Sequence, residues 1–547
     1  MKRTLLSLAV GSAVAVAVPD TRAAMYINSL GTGETLLFPF YSAENGNATM
    51  INLANATNDH KAVKVRIIEA QNSQEVLDFN LYLSPKDHFS FAISGAPESV
   101  NSSGVVGGAK LATQDKSCTS PAIPEGGEPF RTTLFEEDEN SGVIRTQVGY
   151  IEVIEMGQLD PNAAPVLDKA GIASGNAINA AAAITHDSNG VPANCDIVNF
   201  AWGTDQGEDG VWKAEARDNR QGKSEMLANW SGGGLYGYAT VINVAQGAAF
   251  GYDAIAIADH VADGASGYAM HYEPGDIRPN FTDNAMDTAA IVPINGQAVT
   301  LDFAGDYPTP GYERIQAMNA TLMTTEIYND YVTDEDLDAT TDWLLNFPTK
   351  AFHVNGSEPV EPFSELWTGN SACEPAAFYS VDREESRPAE PPAPGPSGPD
   401  FSPAPPTPPG PAPSNNDLPL CYEATIVQFA TEGAVTSQVA VGVNGFLEAE
   451  DGWAVISFDP NEIASTLSKC DIDGDKTADI DVKDPCKRTI DAGDAQLIGL
   501  PVVGFAVQKY VNGETLGTGV LANYAIATAH KGCKSGTGKA ANDCSDR

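Results

Sequence analysis

A period-two alternation of apolar and polar residues constrains the fold of this chain more than any other feature. Val63, Val65 and Ile67 alternate with basic residues, and the pattern returns at Leu77 and Phe79. Alternate side chains point to opposite faces of a strand, so one face is expected to be buried and the other wet. Turn-forming clusters separate these runs. The sequence therefore predicts a mainly β protein made of antiparallel, immunoglobulin-like β-sandwiches, although the Cys–Trp–Cys hallmark is missing.

The composition excludes some functions. The 547 residues include 31 Lys and Arg against 73 Asp and Glu, which gives a formal net charge of −42. So acidic a surface repels nucleic-acid phosphates. A 42% hydrophobic content suffices for a large core, and 51 Gly with 36 Pro favour many turns, long loops and few short helices.

The first 23 residues have the pattern of a secretory signal peptide. Lys2 and Arg3 precede an apolar run at 5–18, and small residues stand at 21 and 23. No later run of 18 apolar residues occurs, so no transmembrane span is predicted. We expect an exported protein that is periplasmic, extracellular or held on the cell surface.

Eight cysteines follow the signal, an even number that favours structural disulfides in an exported chain. They permit 105 connectivities, and pairing of sequence neighbours is the simplest prediction. Those pairs are Cys118–Cys195, Cys373–Cys421, Cys470–Cys486 and Cys533–Cys544.

The predicted organisation has three parts after the signal. A β-rich domain spans 24–385, with a sandwich at 24–160 and a loop-rich extension at 161–385. A Pro-rich segment at 386–420 contains 14 prolines and is too poor in apolar residues to pack a core. The region 421–547 is predicted to be either a second β-rich domain or the completion of the first.

Two interpretations of the Pro-rich segment stay open at this point. It can be a linker between two domains, or a loop that projects from one body if Cys373 and Cys421 pair across it. Strands are expected again on both sides, and one helix is expected at Asp334–Asn346. Thr333 would cap that helix, and Leu337, Thr341, Leu344 and Leu345 would share a face.

The sharpest site motif is CDIDGDKTADIDVKDPC at 470–486. Asp471, Asp473, Asp475 and Asp479 place carboxylates at loop positions 1, 3, 5 and 9, and Ca²⁺ prefers such oxygen ligands. The motif resembles the calcium loops of dockerin and thrombospondin type 3 repeats. It departs from an EF-hand at Lys476, where Gly is usual, and at Val482, where a bidentate Glu is usual. The alternatives are a structural calcium site and an acidic solvated loop.

Other candidate sites are weaker. A second acidic cluster is interpreted mainly as a solvated helix start; its members are Asp330, Asp334, Glu335, Asp336, Asp338 and Asp342. A GxGxxG match at Gly232, Gly234 and Gly237 precedes a strand-like run and is interpreted as a turn, not as a dinucleotide site. Neither HExxH nor GxSxG occurs, so no catalytic residue is assigned.

Several segments resemble a group of secreted or cell-surface proteins of Gram-negative bacteria. They are TLLFPFYSAENGNATMINLANAT, AVKVRIIEA, VLDFNLYLSP, TDWLLNFPTK and GLPVVGFAVQKYVNG. The resemblance covers most of the mature chain. It implies an envelope location and a β-rich, immunoglobulin-like fold, and it implies no activity.

These observations favour a non-enzymatic structural or interaction protein of the bacterial envelope. It would assemble with itself or with a cell-surface component. The first alternative is a secreted carbohydrate-active hydrolase with paired carboxylates. The second alternative is a calcium- or glycan-binding module.

Overall fold

The structure, a computed structural model, describes most of the chain after the signal segment. The described residues are 24–135, 142–166, 178–203, 212, 226–227, 230–261, 269–283, 285–305, 307, 309–336, 338–383, 417–447, 449–464, 488–513, 523–542 and 544.

The described structure is mainly β, with 49% of residues in strands and 11% in helices. Its strand pairs are antiparallel with one exception among the described strands. The predicted fold class is therefore confirmed as mainly β, antiparallel and disulfide-braced, while the immunoglobulin-like connectivity stays a prediction. None of the helices in the described ranges combines the length and the apolarity needed to cross a membrane.

The first sandwich contains thirteen strands in two facing sheets. Sheet one has the order β1-β13-β2-β10-β4-β5-β8, and sheet two has the order β12-β11-β3-β6-β7-β9. The strands are β1 Tyr26–Ile27, β2 Thr35–Ser42, β3 Asn47–Asn55, β4 His60–Glu69, β5 Glu75–Leu83, β6 His88–Asn101, β7 Gly104–Ala112, β8 Cys118–Ser120, β9 Glu128–Arg131, β10 Val148–Leu159, β11 Leu235–Asn243, β12 Ala248–Asp253 and β13 Ile255–Ala258.

The core of this sandwich is formed by the inward positions of both sheets. Val63, Val65 and Ile67 on β4 are buried in it, as the alternation predicts. Phe79 on sheet one makes edge contacts with Phe89 and Phe91 on sheet two, with ring centroids 6.2 and 6.3 Å apart. Burial of one such large apolar side chain contributes roughly 1.5–3 kcal/mol.

A long excursion, which we call the cover, packs on the outer face of sheet one. It comprises the described residues of 160–230 and 259–322. Its elements are α1 Ala180–Ile184, α2 Asp196–Trp202, the hairpin of β14 Ala289–Ile294 and β15 Gln297–Asp302, and α3 Tyr312–Leu322. The Asn179 side chain caps the Ala-rich α1 by accepting a hydrogen bond from Ala182 N at 2.7 Å. Trp202 and Val198 of the cover join one apolar cluster with Ala62 and Ile154 of sheet one.

Because of the cover, sheet one is buried on both faces, so the prediction of one wet face is wrong for its central strands. Lys64 and Arg66, the basic residues of the alternation, point outward but are both buried. Lys64 Nζ lies 2.8 Å from Asp78 Oδ1 and donates to the Glu273 and Asp276 carbonyls of the cover at 3.0 Å each. Asp78 of the same sheet and two carbonyls of the cover therefore replace water as the partners of Lys64.

The second sandwich is formed by two five-stranded sheets. Sheet three has the order β22-β21-β18-β27-β28, and sheet four has the order β20-β19-β23-β17-β29. The remaining elements are β16 Met323–Thr324, β17 Glu326–Val332, β18 Ala339–Asn346, α4 Ala351–Val354, β19 Glu374–Asp382, β20 Asp417–Leu420, β21 Ala424–Gln428, β22 Ala440–Gly442, β23 Asp451–Ser457, α5 Pro460–Ala464, β24 Thr489–Ala492, β25 Ala495–Ile498, β26 Leu500–Pro501, β27 Val503–Val511, β28 Asn523–Ala529, β29 Lys531–Cys533 and β30 Ser535–Gly538.

Sheet three lies between two cores. On one face, Trp343 packs with Phe429, and Phe429 contacts Phe378 of sheet four, at centroid distances of 5.0 and 5.8 Å. On the other face, Phe505 stacks on Tyr252 of sheet two at 4.5 Å. The two sandwiches thus share a layer instead of meeting only through a tether.

The predicted helix at Asp334–Asn346 is wrong. Residues 334–338 form turns where they are described, and β18 Ala339–Asn346 is a central strand between β21 and β27. Trp343 and Leu345 point to one core while Leu344 points to the other. A strand with two buried faces is apolar on both sides, so the residues that suggested a helical face are distributed over two faces of a sheet.

Three of the predicted cysteine pairs are disulfides in the structure: Cys118–Cys195, Cys373–Cys421 and Cys533–Cys544. The fourth predicted pair lies outside the described residues. The strands on either side of the Pro-rich segment, β19 and β20, pair directly, with Glu374 opposite Leu420. Strands from 417–538 thus complete sheets with strands from 323–382.

Candidate interaction face and acidic cleft

The predicted calcium loop lies outside the described residues. Asp471, Asp473, Asp475 and Asp479 are all within that undescribed stretch, so the calcium site stays a prediction. The structure does bring Glu326 within ligand distance of Cys533 and Cys544. Both sulfur atoms are bonded to each other in a disulfide, and disulfide sulfurs are not thiolate ligands for a metal.

The structure brings part of the second acidic cluster together. Asp334, Glu335 and Asp338 line a cleft beside sheet three, whereas Asp330 and Asp336 do not line it. Asp342 is fully buried in β18 below the same cleft. Three members of the cluster therefore line a cavity, and the cluster does not mark the start of a helix.

The outer face of sheet two is open to solvent, unlike that of sheet one. Register places its outward residues in rows across the central strands β11, β3 and β6. The rows are Tyr238–Asn52–Ser90, Thr240–Met50–Ala92 and Ile242–Ala48–Ser94, and Tyr236 lies beyond the first row. We call these ten residues the open face.

The open face contains no Asp, Glu, Lys or Arg. Its most exposed large side chains are Tyr236, Tyr238 and Met50, which are 42%, 44% and 45% exposed. The two tyrosines are two residues apart on one strand, so their rings are about 7 Å apart along it. Charged residues border the face on neighbouring strands. Lys110 lies opposite Ser94, and Asp253 lies opposite Tyr238.

This uncharged surface contrasts with the acidic composition of the chain. In a chain with a net charge of −42, a flat, uncharged patch with exposed tyrosines is the expected character of a binding surface. A tyrosine ring can bury apolar area while its hydroxyl makes a polar contact. The sequence did contain a signal for this face, because the outward positions in the strand-like run at 235–244 are never charged.

The acidic cleft has a volume of about 1330 Å³ and lies between the two sandwiches. Gln246 of the first sandwich lines one wall, and residues next to sheet three form the others. Five carboxylates and one lysine line it; these are Asp334, Glu335, Asp338, Glu432, Glu450 and Lys509. Burial lowers the pKa of Lys509, and Asp342 and Glu432 oppose that shift.

The carboxyl of Asp342 lies under the cleft. Its Oδ2 accepts a hydrogen bond from Val435 N at 2.8 Å. Burial raises the pKa of Asp342 to about 7, with hydrogen bonds from Val435 and the charge of Lys509 opposing the shift. The site thus combines surface carboxylates with one enclosed acidic group.

A third cluster is buried in the cover. Tyr82 of sheet one accepts a hydrogen bond from Trp202 Nε1 at 2.7 Å and lies 2.8 Å from His271 Nε2. Tyr82 and Trp202 are 0% and 2% exposed, and His271 is 1% exposed. Such enclosure suits fixing the cover to sheet one, and it leaves no access for a substrate.

The glycine motif behaves as a turn. Gly232 and Gly234 lie in the loop before β11, and Gly237 lies within that strand. No helix begins there, so the geometry of a dinucleotide site is missing from this segment. A search of protein-family models, curated proteins and solved structures found no match to this chain.

Proposed function

We propose that this is an exported, non-enzymatic interaction protein of the bacterial envelope that docks a neutral polysaccharide on the open face. The observation that carries the proposal is the uncharged, tyrosine-bearing outer face of sheet two. Flat sugar rings can stack on Tyr236 and Tyr238, while Asn52, Ser90 and Thr240 offer polar partners.

Charge favours a neutral partner over the other candidates. A polyanion would be repelled by the body of the protein, and a second copy would bring another charge of −42 close to the first. An uncharged partner avoids both costs and matches a face that has no formal charge of its own. The disulfide bonds support a place outside the cytoplasm.

The hydrolase alternative receives less support. A catalytic acid must contact the proton it transfers. Asp342 has the raised pKa that such an acid needs, but it is 0% exposed and Gly433 lies over it. A polysaccharide in the cleft would therefore not reach this carboxyl.

The test uses residues 24–547 purified with disulfides intact. The protein is incubated with particulate cellulose, chitin and insoluble starch, and retention is compared with that on alginate gel, an acidic polysaccharide. We expect retention on at least one neutral matrix and none on alginate. Replacing Tyr236 and Tyr238 by alanine should abolish retention, because the stacking surface is removed.

A matched control removes exposed side chains of similar size from another sheet. Tyr524 and Ile526 on β28 are 47% and 52% exposed, and their double alanine variant should bind like the wild type. Equal losses in both variants would refute a role for the open face. A tyrosine-dependent dimer in sedimentation would instead make the face a self-association surface, and release of reducing ends would show an enzyme.

The calcium prediction has its own test. Calorimetric titration with CaCl₂ compares the wild type with the Asp473→Ala, Asp475→Ala variant. We expect binding heat and a higher melting temperature with calcium in the wild type alone. Identical curves for both proteins would remove the loop as a calcium site.

A further inference from the structure

We propose that the side chains of Lys61 and Glu155 are joined by an amide bond inside the first sandwich. The bond would link the Nζ atom of Lys61, on β4, to the side-chain carboxyl carbon of Glu155, on β10. This modification is internal to the chain and needs no ligand. It therefore holds or fails independently of the polysaccharide proposal.

The two side chains are in contact and are closed off from solvent. Lys61 Nζ lies 2.5 Å from Glu155 Oε1, and both side chains are 0% exposed. The carboxyl carbon is one covalent bond further from the nitrogen. Reacting groups that are held in good geometry reach effective concentrations of about 10⁵–10⁸ M. Proximity thus favours the condensation of an amine and a carboxyl that would stay separate in water.

The pair lies among apolar neighbours of the same sheet. In the strand register, Lys61 is opposite Leu83 and Glu155 is opposite Val63. Both of these neighbours are 0% exposed. An ion pair in such surroundings carries a large desolvation cost, whereas a neutral amide carries a much smaller one. The environment therefore favours the linked form over the charged pair.

Lys61 lacks the acceptors that a buried ammonium group needs. An ammonium has three N–H groups, and the described residues offer Lys61 Nζ one acceptor, Glu155 Oε1. Lys64 is also 0% exposed, but its Nζ has three acceptors, at 2.8, 3.0 and 3.0 Å. Lys64 is thus surrounded as a cation, whereas Lys61 is surrounded as a neutral amine.

The carboxyl of Glu155 is suited to the same reaction. Burial raises the pKa of Glu155 to about 7, while Lys61 and the Gly233 N–H oppose the shift. A neutral amine facing a protonated carboxyl is the pair that condenses. Gly233 N donates a hydrogen bond to Glu155 Oε2 at 2.9 Å. This N–H would stabilise the negative charge that develops on Oε2 during the attack.

The reaction is a condensation in which nothing is oxidised or reduced. The lone pair of Lys61 Nζ attacks the carboxyl carbon of Glu155, and a C–N bond forms. The bond from that carbon to Oε1 then breaks. Oε1 leaves as water, with its own hydrogen and one hydrogen from Nζ, and the amide keeps the other Nζ hydrogen. No co-reactant is required.

Mass spectrometry of residues 24–547 tests the proposal after the protein has been denatured, reduced and alkylated. We expect the wild-type mass to be lower than that of the unlinked chain by one water molecule. A proteolytic digest should contain a branched peptide, and its fragmentation should place the bond between Lys61 and Glu155. A digest that contains both residues only in unlinked peptides would overturn the proposal.

Two substitutions on β4 provide a matched pair. Lys61→Arg keeps the positive charge but removes the reactive amine, so this variant should have the mass of the unlinked chain. Lys64→Arg replaces an equally buried lysine and should still show the loss of one water. A water loss that fragmentation places at Lys64 and Asp78 would overturn the assignment. The wild-type digest decides the question even if a variant fails to fold.

Discussion

Sheet one and sheet two pack on the same core, yet their outer faces differ in both exposure and charge. On sheet one, the buried Arg66 lies 2.6 Å from Glu152 and 2.8 Å from Glu75 of the neighbouring strands. On sheet two, the ten residues of the open face include tyrosine, methionine and small residues and carry no formal charge. Charge in an alternating strand therefore does not mark the wet face here. It marks a buried face where neighbouring strands of the same sheet supply the ionic partners.

The comparison has an energetic basis. A charge can be buried only if it is paired and hydrogen-bonded. Strands β5 and β10 provide the carboxylates, and the cover provides backbone carbonyls to Lys64. An exposed face needs no such partners, so its composition is free to serve a ligand. The four predictions that follow address this difference, in order of decreasing effect on stability.

The largest effect is expected from removing the disulfide that ties the cover to sheet one. The Cys118→Ser, Cys195→Ser variant opens a link with a sequence separation of 77. We expect a loss of about 4 kcal/mol in the free energy of unfolding, measured by urea titration without reductant. Hydrogen exchange in β4 should rise as the cover loosens.

The control for this experiment is Cys533→Ser, Cys544→Ser, whose separation is 11. It should leave exchange in β4 unchanged because it lies in the second sandwich. If β4 stays protected in the Cys118 variant too, the cover is held without its disulfide.

A smaller loss is expected when one buried charge is removed. Arg66→Met leaves Glu75 and Glu152 without their cation and should cost about 3 kcal/mol. Arg131→Met on the edge of sheet two is the matched substitution. Arg131 is 44% exposed and 3.5 Å from Glu128, so urea unfolding should shift by less than about 0.5 kcal/mol. Equal losses in the free energy of unfolding for the two variants would contradict the proposed difference between the sheets.

Stability should also fall as the pH rises from about 4.5 to 7. Burial raises the pKa of Glu75 to about 7, while Arg66 opposes the shift and Asp78 adds to it. The folded state therefore holds a proton that the unfolded state has lost, and this contribution disappears as the pH passes the folded pKa. Glu75→Gln should reduce the fall between pH 5 and 7.5 by about 2 kcal/mol. An unchanged pH profile would show that Glu75 is ionised throughout.

The smallest effect is expected on the open face. Tyr238→Ala should change the free energy of unfolding by less than about 0.5 kcal/mol, because the side chain is 44% exposed. Tyr82→Ala is the comparison on sheet one, where the ring is fully buried, and it should cost about 3–5 kcal/mol. A loss above 1.5 kcal/mol for Tyr238 would contradict an open surface.

The strands of the first sandwich could be predicted because their alternation is regular. At Val63, Val65 and Ile67, local pattern and tertiary burial agree. The cover could not be predicted, because an Ala-, Gly- and Asn-rich stretch has no strong period. Its contacts with Lys64 depend on carbonyls more than 200 positions away in the sequence.

The prediction of a helix at 334–346 was wrong for a related reason. Leu344 and Leu345 pack into different cores, and a sequence does not show how many cores a chain has. The acidic cleft was visible as the cluster at 334–338, but its walls come from both sandwiches. The open face could have been predicted from the sequence, because uncharged residues occupy the outward positions of β11 and β3.

The direct pairing of β19 and β20 has a consequence for the integrity of the molecule. A disulfide joins Cys373, which precedes β19, to Cys421, which follows β20. Within the strand pair, Glu374 lies opposite Leu420. A protease that cut anywhere within 386–416 would leave both fragments in one covalent molecule. Such a nick would be invisible until a reductant separated the pieces.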